Sequence, residues 1–146
     1  MKNFALIVLL TMGLLTVGCG SNSSTPGNIN GTWNATLTDV NGVVTDFNFG
    51  TALVVNGDGT LAISNFNFNS SSPCFISGET ESGSFTLSGN FSGRVTGQLH
   101  YTVTSGSPTG NTLVLNGSAN GNTIAGTWTL NGGGGCSGSG TFTMTK

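Results

Sequence analysis

The chain has 146 residues, of which only 5% are charged, and a formal net charge of −2. This length fits one domain, and a hydrophobic share of 36% is enough for a modest core. Three basic residues are too few to neutralise a run of phosphates, which excludes nucleic-acid binding. One histidine and five carboxylates leave little material for acid–base catalysis.

The first eighteen residues carry the features of an export signal. Lys2 makes the start positive, and residues 4–17 form an apolar run. A run of this length suits a signal peptide and is shorter than the roughly 20 residues of a membrane-spanning helix. The small residue Gly18 then precedes Cys19. Two other interpretations stay open: an ordinary cleaved secretion signal with an incidental Cys19, and a retained membrane helix.

The segment LTVGC at residues 15–19 resembles a bacterial lipobox, in which a small residue precedes an acceptor cysteine. The resemblance implies that residues 1–18 are a signal peptide and that Cys19 becomes the lipid-modified first residue of an exported lipoprotein, anchored in a membrane. Gly20 follows the acceptor, where there is no aspartate, and in Gram-negative lipoproteins this implies sorting to the outer membrane. Residues 19–30 are mostly polar and small, and we expect them to form a flexible tether.

From residue 31 to residue 146 the pattern predicts a single all-β domain. Apolar and polar residues alternate with a period of two, which is typical of half-buried strands, and no segment has the period of a helix. The predicted inward sets are Trp33, Ala35 and Leu37; Phe47, Phe49, Leu53 and Val55; Leu61 and Ile63; Phe85, Leu87 and Phe91; Val95, Leu99, Tyr101 and Val103; Leu113 and Leu115; Ile124, Trp128 and Leu130; Phe142 and Met144.

Glycine turns separate these sets. The segment Asn56-Gly57-Asp58-Gly59 is the strongest hairpin signal. Further turns are predicted at 41–42, 105–108, 116–117, 120–121 and 131–132. Phe66 and Phe68 have the opposite parity to Leu61, and a β-bulge near Ser64-Asn65 would reconcile them. Eight or nine antiparallel strands favour a small up-and-down barrel, because closure removes exposed edges; a two-sheet sandwich is the alternative.

Cys74 and Cys136 form an even pair in an exported, oxidising context, which predicts a structural disulfide. It would close a loop of about 60 residues and add about 4 kcal/mol on the chain-entropy model. The alternatives are a redox pair or a metal site. A metal needs more ligands than two sulfurs, and the only histidine, His100, is predicted to face away from the core.

Three further features could carry chemistry. Residues 56–60 space oxygen ligands like a calcium loop, but without its leading aspartate and distant glutamate, so a plain hairpin is favoured. Glu79 and Glu81 share one strand face, where they could bind a cation or simply solvate a strand end. His100 has no recognisable carboxylate or serine partner. With no hydrolase, metalloprotease or phosphate-loop motif either, we expect no enzyme activity, catalytic residue, cofactor or metal.

Two tryptophans stand in Gly-Thr-Trp triplets, at 31–33 and 126–128. The triplets resemble those of lipocalin- and avidin-like barrels, where aromatic residues line a ligand cavity. That resemblance implies Trp33, Tyr101 and Trp128 as contacts for a small apolar ligand.

Residues 74–146 resemble a recurrent pattern of bacterial envelope lipoproteins. The matching segments are Cys74-Phe75, Gly126-Thr127-Trp128-Thr129, Gly134-Gly135-Cys136 and Gly140-Thr141-Phe142-Thr143. The resemblance implies an all-β fold and the disulfide, and no activity. We therefore expect a non-enzymatic, lipid-anchored envelope lipoprotein whose surface contacts envelope proteins or the cell wall. The alternative is a lipocalin-like module for a small apolar ligand. Aromatic side chains that fill the barrel would favour the first.

Overall fold

The computed structural model describes residues 29–42, 44–69, 74–75, 79–87, 95–106 and 110–146. The predicted signal peptide, Cys19 and most of the predicted tether lie outside these ranges, as do Phe91 and residues 107–108 of the turn predicted at 105–108. For Phe47 and Phe68 only the backbone is described.

The described residues form eight strands and no helix. The strands are β1 (Gly31–Asp39), β2 (Val44–Val55), β3 (Leu61–Asn69), β4 (Thr80–Leu87), β5 (Thr96–Thr104), β6 (Thr112–Asn120), β7 (Thr123–Asn131) and β8 (Gly138–Thr145). All pairings are antiparallel, in the order β3-β2-β1-β8-β7-β6-β5-β4. The first strand thus pairs with both the second and the last, as in an up-and-down barrel.

The sheet curls until its two edge strands, β3 and β4, approach each other. They meet at one bridge between Thr60 and Ser84, and the Phe85 amide donates to the Gly59 carbonyl at 2.8 Å. The result is one nearly closed barrel of eight strands, which confirms the predicted fold class and barrel and rules out the sandwich.

Antiparallel order gives the barrel two distinct ends. The entry end, where β1 begins, carries Ile29, the turns at 56–60 and 121–122, and Lys146. The disulfide end carries the turn at 40–42 and the two cysteines, Cys74 and Cys136.

Inward side chains form a single core, as the alternation predicts. Its buried apolar members are Ile29, Trp33, Ala35, Leu37, Phe49, Leu53, Leu61, Cys74, Phe75, Phe85, Val95, Leu99, Tyr101, Val103, Leu113, Leu115, Ala119, Ile124, Trp128, Leu130, Cys136, Phe142 and Met144, with Val55, Ile63 and Phe66 packed against them. The assignment of Leu87 to the interior is wrong. It is the last residue of β4 and is 48% exposed, because the barrel wall ends there.

Most of the predicted turns are found. Gly42, Gly59 and Gly121 have positive φ angles of 82°, 84° and 64°, which glycine adopts without strain. The turn predicted at Asn116-Gly117 is wrong, since both residues lie inside β6. A Cβ atom on Gly117 would stand 2.6 Å from Cζ of Phe142, so this glycine makes room for the core and does not turn the chain.

The predicted bulge lies in β3. Gly50 pairs with Asn67, whereas Ala52 pairs with Ser64, so the register shifts between them. Asn65 takes up the shift with a φ of 52°, a left-handed conformation that asparagine tolerates better than most residues. The shift lets Phe66 reach the core from a position whose parity pointed outwards.

Candidate functional site

The three aromatic residues suggested as ligand contacts all lie in the barrel interior. Trp33 and Tyr101 are 0% exposed and Trp128 is 3% exposed. The indole N–H of Trp33 donates to the Ile29 carbonyl at 2.6 Å, which ties the strand entry to the core. The indole N–H of Trp128 donates to the Thr38 carbonyl at 2.9 Å. In both tryptophans, therefore, the indole N–H is hydrogen-bonded to a backbone carbonyl and the ring packs in the core.

Tyr101 is surrounded by residues of other strands. Its ring stacks on Phe49, with centroids 5.5 Å apart and an angle of 13° between planes. Its hydroxyl donates to Oγ1 of Thr51 at 3.3 Å, and Thr51 is itself 0% exposed. Burial raises the pKa of the Tyr101 phenol, so the group stays protonated and acts as a donor. The pair is a structural polar contact inside an apolar core.

Large side chains occupy the interior of the barrel. Those with almost no exposure include Trp33, Tyr101, Phe85, Phe142, Leu37 and Met144. An eight-stranded barrel is just wide enough to be filled by such side chains. The aromatic set therefore forms a packed core.

Three open grooves lie on the surface of the described residues. One of about 560 Å³ follows β6 and β7 past Ser118 and Asn120. A second, of about 250 Å³, crosses β1 to β3 beside Asn34, Gly50 and Asn67. The third, of about 510 Å³, lies at the disulfide end and is lined by residues that include Asp39, Val40, Trp128 and Gly140. Their linings are mainly hydroxyl, amide and glycine positions.

His100 projects from the outer face of β5, as predicted from its opposite parity to Tyr101. Its Nδ1 lies 2.6 Å from Oδ1 of Asn116, so Nδ1 carries the proton and donates to the amide oxygen. Its Nε2 lies 3.4 Å from Oγ1 of Thr102. Ser84 is its neighbour across the ladder. The contact between His100 and Asn116 could not be predicted from the sequence, because the two residues are 16 positions apart and meet only when β5 pairs with β6.

Glu79 and Glu81 lie where β4 begins, at the disulfide end. Glu79 precedes the strand, and Glu81 shares the inward parity of Gly83 and Phe85. Burial raises the pKa of Glu81, and the nearby charge of Glu79 raises it further, whereas a backbone hydrogen bond lowers it. The charge of Glu79 thus acts on the Glu81 carboxyl at the rim of the barrel.

The loop at residues 56–60 is a hairpin turn. The Asp58 carboxylate accepts from the Thr60 amide at 2.9 Å and from its hydroxyl at 2.6 Å. These bonds lower the pKa of Asp58. Oδ1 of Asp58 is therefore engaged within the turn itself. Within the described ranges no group of three or more His, Cys, Asp or Glu side chains could hold a metal ion.

The sulfur atoms of Cys74 and Cys136 lie 2.08 Å apart, at disulfide distance, and both residues are buried. Cys136 lies in the loop between β7 and β8, and Cys74 lies between β3 and β4. Nδ2 of buried Asn111 donates to the Cys74 carbonyl at 3.0 Å. The cysteine pair therefore links the loop before β8 to the connection between the two edge strands, β3 and β4.

In the part of the chain that the structure describes, no helix is long and apolar enough to cross a membrane. The site predicted at Cys19 lies outside those residues. Comparison of the chain with protein-family models, with characterised proteins and with solved structures finds no significant match.

Proposed function

We propose that this protein is an exported, lipid-anchored envelope lipoprotein with a non-enzymatic role, in which a rigid barrel offers its outer surface to envelope proteins or the cell wall. The observation that carries the proposal is the filled interior. Trp33, Tyr101 and Phe85, which could have framed a cavity, are at most 1% exposed and are packed together with the rest of the core. A barrel of this kind has its outside, rather than its inside, available for recognition.

The outer face supports the same proposal by its chemistry. Hydroxyl and amide groups follow one another across neighbouring strands. One such row, which also includes the imidazole of His100, runs through Thr38, Thr141, Thr127, Asn116, His100 and Ser84. Such a face forms hydrogen bonds without electrostatic steering, which suits a neutral partner held close by a tether.

The anchor is tested first. Full-length protein is recovered from membranes of its own host, and its intact mass is measured. We expect cleavage before Cys19 and a mass increase equal to acyl chains. Cys19→Ala should abolish acylation and the cleavage that depends on it, so that this chain keeps residues 1–18, whereas the neighbouring Ser21→Ala should be cleaved and acylated like the wild type. A wild-type mass without acyl chains, or a Cys19→Ala chain that is cleaved before residue 19 and still remains in the membrane, would overturn the proposal.

The filled interior is tested by native mass spectrometry of gently purified protein. We expect the mass of the processed chain with one disulfide and no small-molecule adduct. A stoichiometric adduct would contradict the proposal and favour a lipocalin-like carrier for a small apolar ligand. In that case Trp33, Tyr101 and Trp128 would be the first residues to replace.

A further inference from the structure

One of the surface grooves is built on a single row of residues across three neighbouring strands. Asn34 of β1 pairs with Gly50 of β2, which pairs with Asn67 of β3, and both asparagines are exposed. Neighbouring strands lie about 4.8 Å apart, so the backbones of the two asparagines stand roughly 10 Å apart with only a glycine between them. A Cβ atom at Gly50 would already lie 3.4 Å from Oδ1 of Asn34. The missing side chain therefore opens the groove between the two amides.

The adjoining row adds two more hydrogen-bonding side chains. Thr36 of β1 pairs with Asn48 of β2, and both line the same groove, whose volume is about 250 Å³. In the part of the chain that the structure describes, the carboxamides of Asn34, Asn48 and Asn67 are not hydrogen-bonded to another protein group. Each carboxamide has two N–H donors and an oxygen acceptor, so the groove offers a dense set of uncommitted donors and acceptors.

Other amide side chains on the outer face are committed to partners within the protein. Nε2 of Gln98 donates to Oγ of Ser118 at 2.9 Å. Oδ1 of Asn116 lies 2.6 Å from Nδ1 of His100. These carboxamides in the middle of β5 and β6 satisfy neighbours across the ladder. The three carboxamides at the groove, by contrast, face outwards with their bonding capacity open.

The groove lies directly beside the bulge of β3. The register between β2 and β3 shifts between Gly50 and Ala52, and of the described residues other than glycine only Asn65 has a positive φ angle, of 52°. Bulges re-aim side chains and are over-represented next to functional sites. Here the extra residue turns Phe66 into the core and Asn67 outwards beside Gly50. The bulge thus completes the groove with its third carboxamide.

The chemistry of the lining selects the class of ligand. None of the described residues that line the groove is charged, which fits a neutral ligand. A sugar ring carries several hydroxyls, each a donor and an acceptor, and so matches a set of carboxamides. A peptide that binds through its main chain needs a free strand edge, whereas β2 is paired on both sides, with β1 and β3. The volume is below the roughly 300–1,000 Å³ of sites for drug-sized ligands, so it suits a single ring.

We propose that the groove around Gly50 binds one ring of a neutral oligosaccharide, held by the three carboxamides. This inference deepens the proposed function and rests on it, because it names the chemistry of the partner that the outer face contacts. The next rings of the sugar chain lie over β8, where Thr143 and Thr145 continue the two rows beside Thr36 and Asn34.

The test is an NMR titration of isotope-labelled mature protein, purified from its own host and kept in phosphatidylcholine bicelles, which contain no sugar. The probes are triacetylchitotriose, a neutral β-linked sugar, and maltotriose, a neutral α-linked one. We expect at least one of them to shift the side-chain NH2 signals of Asn34, Asn48 and Asn67. A Kd on the order of 1 mM is expected for a single ring in a shallow groove. The probe that binds more tightly identifies the linkage of the natural partner.

Variants separate the groove from the rest of the outer face. Asn67→Ala should weaken binding about two- to tenfold, the equivalent of one hydrogen bond. Gly50→Val fills the slot and should abolish the shifts. The matched control, Asn131→Ala, changes an exposed asparagine at the end of β7, outside the groove, and should bind like the wild type. The backbone amide spectrum of each variant shows whether the fold is intact.

Three results would overturn the inference: no shifts with either sugar at about 10 mM, shifts that map away from the groove, or unchanged binding by Asn67→Ala. Binding of an N-acetylated trialanine amide in the groove in place of the sugars would also overturn it and would indicate a peptide partner. The native mass of the same preparation keeps the two proposals apart. Missing acyl chains or an adduct in the barrel count against the proposed function, whereas the sugar shifts are scored independently.

Discussion

The hydroxyl of Tyr101 on β5 donates to the hydroxyl oxygen of Thr51 on β2, 3.3 Å away and 50 residues distant in the sequence. These strands lie on opposite sides of the closure between β3 and β4. The contact therefore joins the two halves of the sheet through the interior. There each buried hydroxyl gives the other one hydrogen-bond partner.

This pair predicts a non-additive response to mutation. Thr51→Val leaves the buried phenol without its acceptor, and Tyr101→Phe leaves Thr51 without that donor. Each single change should lower the free energy of unfolding by about 1–3 kcal/mol. The double variant should cost less than the sum of the two, because it leaves neither group unpaired. Urea unfolding of the three variants measures this, and strictly additive losses would contradict the proposed pairing.

Gly117 is predicted to be intolerant of a side chain. A Cβ atom there would lie 2.6 Å from Cζ of Phe142 and 2.9 Å from the Ala125 carbonyl oxygen. Gly117→Ala should therefore destabilise the domain by about 1–3 kcal/mol through overpacking. The control is Gly57→Ala, where nothing lies within 4 Å of the new atom. Thermal unfolding should separate the two variants; equal midpoints would show that the β6–β8 contact can relax.

Removal of the disulfide should be costly. Cys74 and Cys136 are separated by 62 positions, and a cross-link over such a loop stabilises by about 4 kcal/mol on the chain-entropy model. We expect the Cys74→Ala, Cys136→Ala double variant to unfold at a much lower urea concentration than the wild type. Addition of a reductant should shift the wild type towards the variant and leave the variant unchanged. Coincident unfolding curves would show that the link contributes nothing.

Glu81 and Asp58 should titrate in opposite directions from their ordinary values. Burial raises the pKa of Glu81, so its protonation favours the folded state. That contribution is gained as the pH falls through the folded pKa, and it is complete below the unfolded pKa. Hydrogen bonds from Thr60 lower the pKa of Asp58, so its stabilisation exists above the unfolded pKa and is lost as the pH falls through the folded one. Carboxyl NMR titration measures both, and Asp58 titrating above Glu81 would contradict the assignment.

Much of this fold could be predicted from the sequence, because the evidence for it is local. A half-buried strand is recognised by apolar and polar residues that alternate with a period of two. The inward residues around Trp33 and Leu113 could therefore be assigned from the sequence alone. The bulge at Ser64-Asn65 followed from a break in parity. The cysteine pair followed from the even number of remaining cysteines in a chain with a predicted export signal.

Local patterns failed where packing overrides them. Asn116-Gly117 has the composition of a turn, yet both residues pair with β5 on one side and β7 on the other, and a ring from β8 occupies the space above the glycine. Leu87 has inward parity but lies where the wall of the barrel ends. Neither result can be predicted without knowing which residues of other strands lie beside Gly117 and Leu87.

The sequence by itself determined the strand-forming alternation, most of the turns, the candidate lipid acceptor and the identity of the paired cysteines. Only the tertiary structure decided that β1 pairs with β8, that Tyr101 meets Thr51 in a filled interior, and that Asn34 and Asn67 flank Gly50 in one row. The physical reason is the distance along the sequence between the residues that interact. Alternation and turns depend on neighbours along the chain, whereas closure, filling and the grouping of outward side chains depend on pairings between strands that are far apart in sequence.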